Sequence, residues 1–248
     1  MEIKGKKVII TGGAKGIGKC LAEKLIKRGA CIGILDIDDS ALNETSTQIP
    51  GVYIKRCDIT DPDQVNGAIS EFIVQHGQID ILINVAGLVK DSPLISISGE
   101  IKKHDLALWN KIIAVNLTAV FIVSSHVAEQ MIKTRTKGLI INVSSVSAKG
   151  NAGQSAYSAA KSGVIALTKT WAKELNAFGI RVAGISPGFT KTETVLSIMN
   201  EKLINEWNKK IPLRRMAQPS EIADGIIFII NNDYFNGKIL ELDGGLVL

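Results

Sequence analysis

Tyr157 and Lys161 stand four residues apart in a helical hydrophobic pattern, and that spacing puts both side chains on one face of a helix. A phenol beside an ammonium is a pair suited to proton transfer. A free tyrosine titrates near ~10, too high to shuttle protons well at neutral pH, and a neighbouring cation favours the phenolate and lowers that value. Thirteen residues before Tyr157, Ser144 follows an apolar run. Asn116 lies inside Val115-Asn116-Leu117, a polar amide on an otherwise apolar helix face. Each has a plain alternative: a surface helix pair for Tyr157 and Lys161, a hydrogen-bonded core amide for Asn116.

A second constellation opens the chain. The run Thr11-Gly12-Gly13-Ala14-Lys15-Gly16-Ile17-Gly18 stands between a strand pattern and a helical pattern. Gly12, Gly16 and Gly18 allow a sharp turn and a close approach of backbone N–H groups to a pyrophosphate, and the helix start adds partial positive charge. The spacing is Gly-x3-Gly-x-Gly with no Lys-Ser/Thr behind it, so the loop is not that of the P-loop nucleotide hydrolases. Asp36 ends the next strand pattern, where a carboxylate accepts ribose hydroxyls and repels a 2′-phosphate. That favours NAD. Lys15, a cation in the glycine loop, points the other way and keeps NADP possible.

Stepping from these residues to what must hold them, the 248-residue chain is 46% apolar and 21% charged, an ordinary globular composition with room for a full core. The net charge of +5 is scattered and forms no basic stripe, so nucleic acid is not an expected partner. Cys20, Cys31 and Cys57 lack paired spacing, and His76, His104 and His126 do not cluster, so neither a disulfide framework nor a metal site is expected. Cys31 and Cys57 fall in strand patterns and read as buried. Behind Met1–Lys7 the apolar run is too short for a signal peptide. The longest stretch free of Asp, Glu, Lys and Arg, Ile112–Ala128, is shorter than a membrane span needs. A soluble, cytoplasmic protein with no membrane contact is expected.

Strand patterns run at Lys7–Thr11, Cys31–Asp36, Val52–Cys57, Ile79–Asn84, Leu139–Val143, Arg181–Ile185 and Ile239–Leu242. Most are apolar at every position, as strands covered on both faces are. Helical patterns alternate with them at Gly16–Arg28, Asp63–His76, Leu106–Ile132, Ser155–Phe178 and Pro219–Ile230. The alternation predicts an α/β fold: one Rossmann-like doubly wound parallel sheet of about seven strands with helices on both faces, residues 1–248 forming a single domain. Two loops are long, Val89–His104 and Phe189–Arg215; the second contains a helical pattern, Glu201–Lys210, and reads as a substrate lid.

These residues together resemble the short-chain dehydrogenase/reductase family over essentially the whole chain. Thr11–Gly18 looks like its cofactor loop and Asp58-Ile59 like its adenine contact. Asn84-Val85-Ala86-Gly87 is similar to its Asn-Asn-Ala-Gly motif, with Val85 in place of the second Asn. Asn116, Ser144, Tyr157 and Lys161 match its catalytic tetrad. Pro187-Gly188-Phe189 with Thr192 resembles its nicotinamide-side loop, and Asp243-Gly244-Gly245 its C-terminal end. The resemblance implies hydride transfer between a nicotinamide cofactor and a carbonyl or secondary alcohol. Tyr157 would be the acid/base, Ser144 would orient the substrate oxygen, Lys161 would hold the ribose and favour the phenolate, and Asn116 would help hold a proton-relaying water. It implies cofactor contacts at Gly12, Lys15, Gly16, Ile17, Gly18, Asp36, Asp58, Ile59, Asn84, Ala86, Gly87, Tyr157, Lys161, Pro187, Gly188 and Thr192. It also implies a homotetramer formed through the helices that carry Asn116 and Tyr157.

Within that family the look is that of the 3-oxoacyl-(acyl-carrier-protein) reductases, through Gly87–Leu94, Gly150–Gln154 and Ile211–Arg215. A thioester-linked small-molecule substrate is therefore expected. Against this stand Asp36, since those reductases usually use NADPH, an apparent insertion around Ile95–Asp105, and Phe178, where an arginine that meets the carrier is common; Arg135 keeps the other such position. A dehydrogenase of another secondary alcohol (a hydroxyacyl-CoA, a polyol or a steroid-like alcohol) stays open. So does a dinucleotide-sensing binding protein without turnover, against which the intact tetrad argues.

Overall fold

The computed structural model describes residues 1–248, apart from the side chains of Ser98 and Ile198. The first half runs β1 (Lys7–Thr11), α1 (Gly16–Ile26), β2 (Cys31–Asp36), α2 (Asp39–Gln48), β3 (Tyr53–Arg56), α3 (Pro62–His76) and β4 (Ile81–Asn84). A hairpin of β5 (Ile95–Ser98) and β6 (Glu100–Lys103) follows. Next comes a long helix built of α4 (Leu106–Ile113), a π-helical turn (Ala114–Thr118) and α5 (Ala119–Lys133). The rest is β7 (Leu139–Val143), α6 (Ser155–Glu174), β8 (Arg181–Pro187), α7 (Glu193–Ile198), α8 (Glu201–Lys210), α9 (Pro219–Asn231) and β9 (Ile239–Leu242).

Seven strands pair in parallel in the order β3-β2-β1-β4-β7-β8-β9. The doubly wound single-domain fold expected from the alternation is the fold adopted, and each expected strand is found within two residues of its expected ends. The continuous apolar runs are explained by two cores. Val8 and Ile10 of β1 join Leu21 and Leu25 of α1 and Ile226 of α9 on one side. Ile9 joins Phe72 of α3 and Val123 of α5 on the other. Because β1 sits between β2 and β4, the chain leaves its two central strands in opposite directions, opening a crevice at their carboxyl ends beside Thr11 and Asn84.

Four features differ from expectation. Helix α2 has no counterpart among the expected elements, because its Asn43-Glu44-Thr45-Ser46-Thr47 centre is poor in helix formers. It is fixed by the Asp38 cap on Ala41 N–H and by Thr45, fully buried, whose hydroxyl donates to the Ala14 carbonyl. The apparent insertion at Ile95–Asp105 is largely the β5–β6 hairpin. The run Ile112–Ala128 understates its helix: Leu106–Lys133 is, by length and composition alone, long and apolar enough to cross a membrane. In the fold Ala119, Val123, Val127 and Met131 pack it into the core beneath the sheet. Finally, Cys57 is buried as expected but Cys31 is only partly covered.

At the far end of the sheet from the crevice, Asp80 is 2% exposed. It accepts hydrogen bonds from Lys7 N–H (2.9 Å), Lys6 Nζ (3.1 Å) and Gln78 Nε2 (2.9 Å), tying β1 to β4. Asp80→Ala orphans the part-buried Lys7 N–H and is expected to cost about 1–3 kcal/mol. A urea denaturation midpoint checks this, and dinucleotide affinity should be unchanged because the crevice lies at the other end.

Candidate active site

The glycine loop is shaped by close backbone approach. Gly12 has φ +65°, and a Cβ there would stand 2.7 Å from the Ala86 Cα. The loops after β1 and β4 therefore touch, and only glycine fits. A Cβ on Gly18 would collide with the Gly12 carbonyl oxygen. Gly16 has φ +54°, and a Cβ there would stand 3.1 Å from the Thr192 methyl, so the loop after β8 lies on the glycine loop. No side chain caps the start of α1. Its amides remain as a cradle for an anion, which fits a dinucleotide pyrophosphate. Ile17 is partly buried and packs against the core on the α1 side of the sheet.

At the end of β2, Asp36 accepts from Ala14 N–H (3.1 Å) and Asp38 N–H (3.2 Å). A carboxylate has about four acceptor positions, so capacity is left for ribose hydroxyls. The cations nearby are matched by acids. Lys15 Nζ lies 2.6 Å from Asp38 and Arg56 3.1 Å from Asp39. The Asp38 hydrogen bond raises the Lys15 ammonium above its ordinary value. Past β3, Asp58 accepts from the amide (2.9 Å) and hydroxyl (2.7 Å) of Thr60, while Ile59 is buried.

Tyr157 and Lys161 project from α6 toward the ends of β4 and β7. Lys161 is 3% exposed, and its Nζ donates to the Val143 carbonyl at 2.9 Å and lies 5.7 Å from the Tyr157 ring centre. Burial pushes the Lys161 ammonium down to about 8 and the Tyr157 phenol up to about 12. Asn116, fully buried, sits in the π-helical turn. Its Nδ2 donates to the carbonyls of Leu88 (2.8 Å) and Ile112 (3.0 Å), and its Oδ1 accepts from Leu88 N–H (3.2 Å). A Cβ on Gly87 would lie 2.8 Å from Asn116 Oδ1 and 3.6 Å from Lys161 Nζ. Gly87 is thus the point where Asn116 and Lys161 meet.

The side-chain directions bear on two expected site residues. Ser144 is 2% exposed and donates to the Lys161 backbone carbonyl at 2.9 Å. Its neighbour Ser145 is the hydroxyl whose hydrogen bonding favours the Tyr157 phenolate. Asn142 at the end of β7 and Ser144 just past it both bond to α6, through Thr168 and the Lys161 carbonyl, whereas Ser145 caps the 3-10 turn Val146–Lys149. The thirteen-residue spacing pointed to Ser144; both serines lie beyond the end of β7, where no sequence period tells them apart. Asn84 is the second. Its Nδ2 donates to Ser124 Oγ and Asn142 Oδ1, both at 2.9 Å, and Asn142 Nδ2 continues to Thr168 Oγ1 at 3.0 Å. That buried chain holds β4, β7, α5 and α6 together and occupies the Asn84 Nδ2.

On the far side, Gly188 N–H donates to the Leu242 carbonyl (2.8 Å), and a Cβ there would meet the Asp243 Cα at 2.7 Å. Pro187 ends β8, and Thr192 caps α7 by accepting from Val195 N–H (3.2 Å). Gly87→Ala is expected to push Asn116 away from Lys161 while leaving the fold intact. Turnover should fall at least tenfold with a urea midpoint close to that of the unaltered protein.

The comparisons with known proteins agree with this geometry. The model of the short chain dehydrogenase family matches residues 6–202. The chain is 39% identical to the 3-oxoacyl-(acyl-carrier-protein) reductase of Chlamydia pneumoniae, covering 98% of this chain and 97% of that one. It is 38% identical to the same-named reductase of Thermotoga maritima over the full length of both. The crystal structure of gox2181 superposes with a TM-score of 0.88 at 26% identity, covering 98% of this chain and 95% of that one. The protein belongs to the short-chain dehydrogenase family, and is an oxidoreductase that interconverts carbonyl and CH–OH groups with a nicotinamide dinucleotide.

Proposed function

We propose that this enzyme reduces 3-oxoacyl thioesters, with Tyr157 as proton donor, Ser145 orienting the substrate oxygen and Lys161 supporting the phenolate. The observation that carries the reading is the placement of Lys161 against Tyr157 beside a glycine loop, at the carboxyl ends of the central strands. The substrate class is supported by the names of the relatives, each a reductase of 3-oxoacyl groups on an acyl-carrier protein. A nicotinamide cofactor, when bound, supplies the hydride for the carbonyl carbon. Tyr157, held protonated at neutral pH by burial, gives its proton to the carbonyl oxygen. The phenolate left behind is favoured by the Ser145 hydroxyl and by the Lys161 ammonium, which at about 8 is still mostly charged at pH 7. Asn116 fixes Leu88 and so holds the wall against which Lys161 lies.

Gly12, Gly16 and Gly18 with the open start of α1 would hold the pyrophosphate, Asp36 the adenosine ribose, Asp58 and the Ile59 backbone the adenine. Ala86 and Gly87 would line the central stretch, and Pro187, Gly188 and Thr192 the nicotinamide side. NAD is the preferred cofactor in this reading. Asp36 would repel a 2′-phosphate, and Lys15, the cation that would attract one, is paired with Asp38. Residues Phe189–Arg215 act as the lid; Phe189, Ile204 and Trp207 pack with Leu246 of the C-terminal segment, so the lid has its own small core. The long helix of α4 and α5 leaves Phe121 and Ile132 exposed, which supports a homotetramer built on that face. We take the protein as a soluble cytoplasmic enzyme.

A screen of NADH against NADPH on acetoacetyl thioesters and simple ketones tests the reading; activity on ketones alone would overturn the thioester assignment. Tyr157→Phe is expected to lower turnover roughly 10²–10⁴-fold with NADH affinity nearly unchanged. Ser145→Ala removes a group that favours the phenolate, so the alkaline rise of alcohol oxidation should move to higher pH. Ser144→Ala should leave that profile in place. Asp36→Ala should relax the preference toward NADPH, and an unaltered enzyme already faster with NADPH would refute the role of Asp36.

A further inference from the structure

The strip Gly87–Ser92, which follows β4, is clamped at both ends. At Leu88 both backbone groups are bonded to the Asn116 amide, at 3.2 and 2.8 Å. Four residues on, Ser92 N–H donates to the Gly153 carbonyl at 2.7 Å, and Ser92 bridges to Gln154 as a short parallel pair. Beside that bridge, Gln154 Nε2 donates to Asp91 Oδ1 at 2.8 Å, and Asn151 Nδ2 donates to Gln154 Oε1 at 3.1 Å. Gln154 is buried and stands three residues before Tyr157, at the cap position of α6. Its amide is bonded on both its nitrogen and its oxygen, so it acts as a strut rather than as a contact for substrate. The strip therefore spans from the Asn116–Lys161 meeting point to the root of the tyrosine helix.

We propose that Asp91 and Gln154 are positioning residues, which set the distance between Tyr157 and the Gly87–Asn116–Lys161 wall by locking the strip to the start of α6. The proposal rests on the reading of Tyr157 as the proton donor. A displacement of about 1 Å at a reacting group costs on the order of a hundredfold in rate, so the strut acts on turnover without touching the substrate. The hydrogen bond can be cut, opposed by charge or rebuilt with reversed polarity. Asp91→Ala cuts it. Gln154→Glu sets two carboxylates against each other. In the double variant Asp91→Asn/Gln154→Glu the new amide donates to the new carboxylate, which also still accepts from Asn151.

Steady-state kinetics, NADH titration by fluorescence and urea denaturation of the full-length protein test this. Asp91→Ala and Gln154→Glu should each lower kcat roughly tenfold to a hundredfold, with the NADH dissociation constant within about twofold. The double variant should recover kcat to within about threefold of the unaltered protein. The proposal is overturned if either single variant turns over normally, if NADH affinity falls in parallel with kcat, or if the double variant is no better than Gln154→Glu. An active Tyr157→Phe would instead sink the proton-donor reading, so the two failures are told apart.

Discussion

The site depends on a charge kept almost out of water. Lys161 is 3% exposed, and among the described residues its ammonium has a single hydrogen-bond acceptor, the Val143 carbonyl. Burying a lysine without a carboxylate partner disfavours the charged form, and the fall to about 8 reflects that. Much of the nearby architecture follows from accommodating it. Gly87 has no side chain because one would press on the Asn116 amide oxygen, while meeting the ammonium only in ordinary contact. Ser144 ties the Lys161 backbone to β7, so the helix that carries the ammonium cannot drift from the carbonyl that receives it.

The same constraint gives the neighbouring tyrosine its character. Burial leaves the phenol a weak acid, raised to about 12 even with the Ser145 hydroxyl acting in the opposite direction. A nearly desolvated ammonium acts across a medium of lower dielectric than water, where its influence on a nearby phenolate is larger than on a surface. Ser145 adds a hydrogen bond of the same sign. Tyr157 is therefore poised to give up a proton only when charge develops beside it.

Polar groups buried elsewhere serve this arrangement by fixing backbone. The Asn84–Asn142–Thr168 chain fastens α6 to two central strands, Thr45 holds the glycine loop from beneath, and the Asn116 amide holds Leu88 from a π-helical turn. Buried amides and hydroxyls must be hydrogen-bonded, and each of these meets that requirement by joining two elements. The crevice is thus bounded by parts that cannot shift independently.

The sequence by itself determined the parallel sheet, because β-branched runs apolar at every position have no stable alternative to burial on both faces. It also determined the glycine loop and the Tyr157–Lys161 face, since both are local spacings. Tertiary structure alone decided which serine meets the phenol. Ser144 and Ser145 are identical in type, and only the register of β7 against α6 turns one inward and the other toward Tyr157. Asn84 was legible as a motif residue but not as a sheet fastener, because Ser124 and Asn142 lie 40 and 58 residues away in the chain. Helix α2 and the Asp91–Gln154 strut were hidden for the same reason. Their stability comes partly from contacts distant in sequence, Thr45 to Ala14 for α2 and Gln154 to Asp91 for the strut, and local propensity carries no record of these.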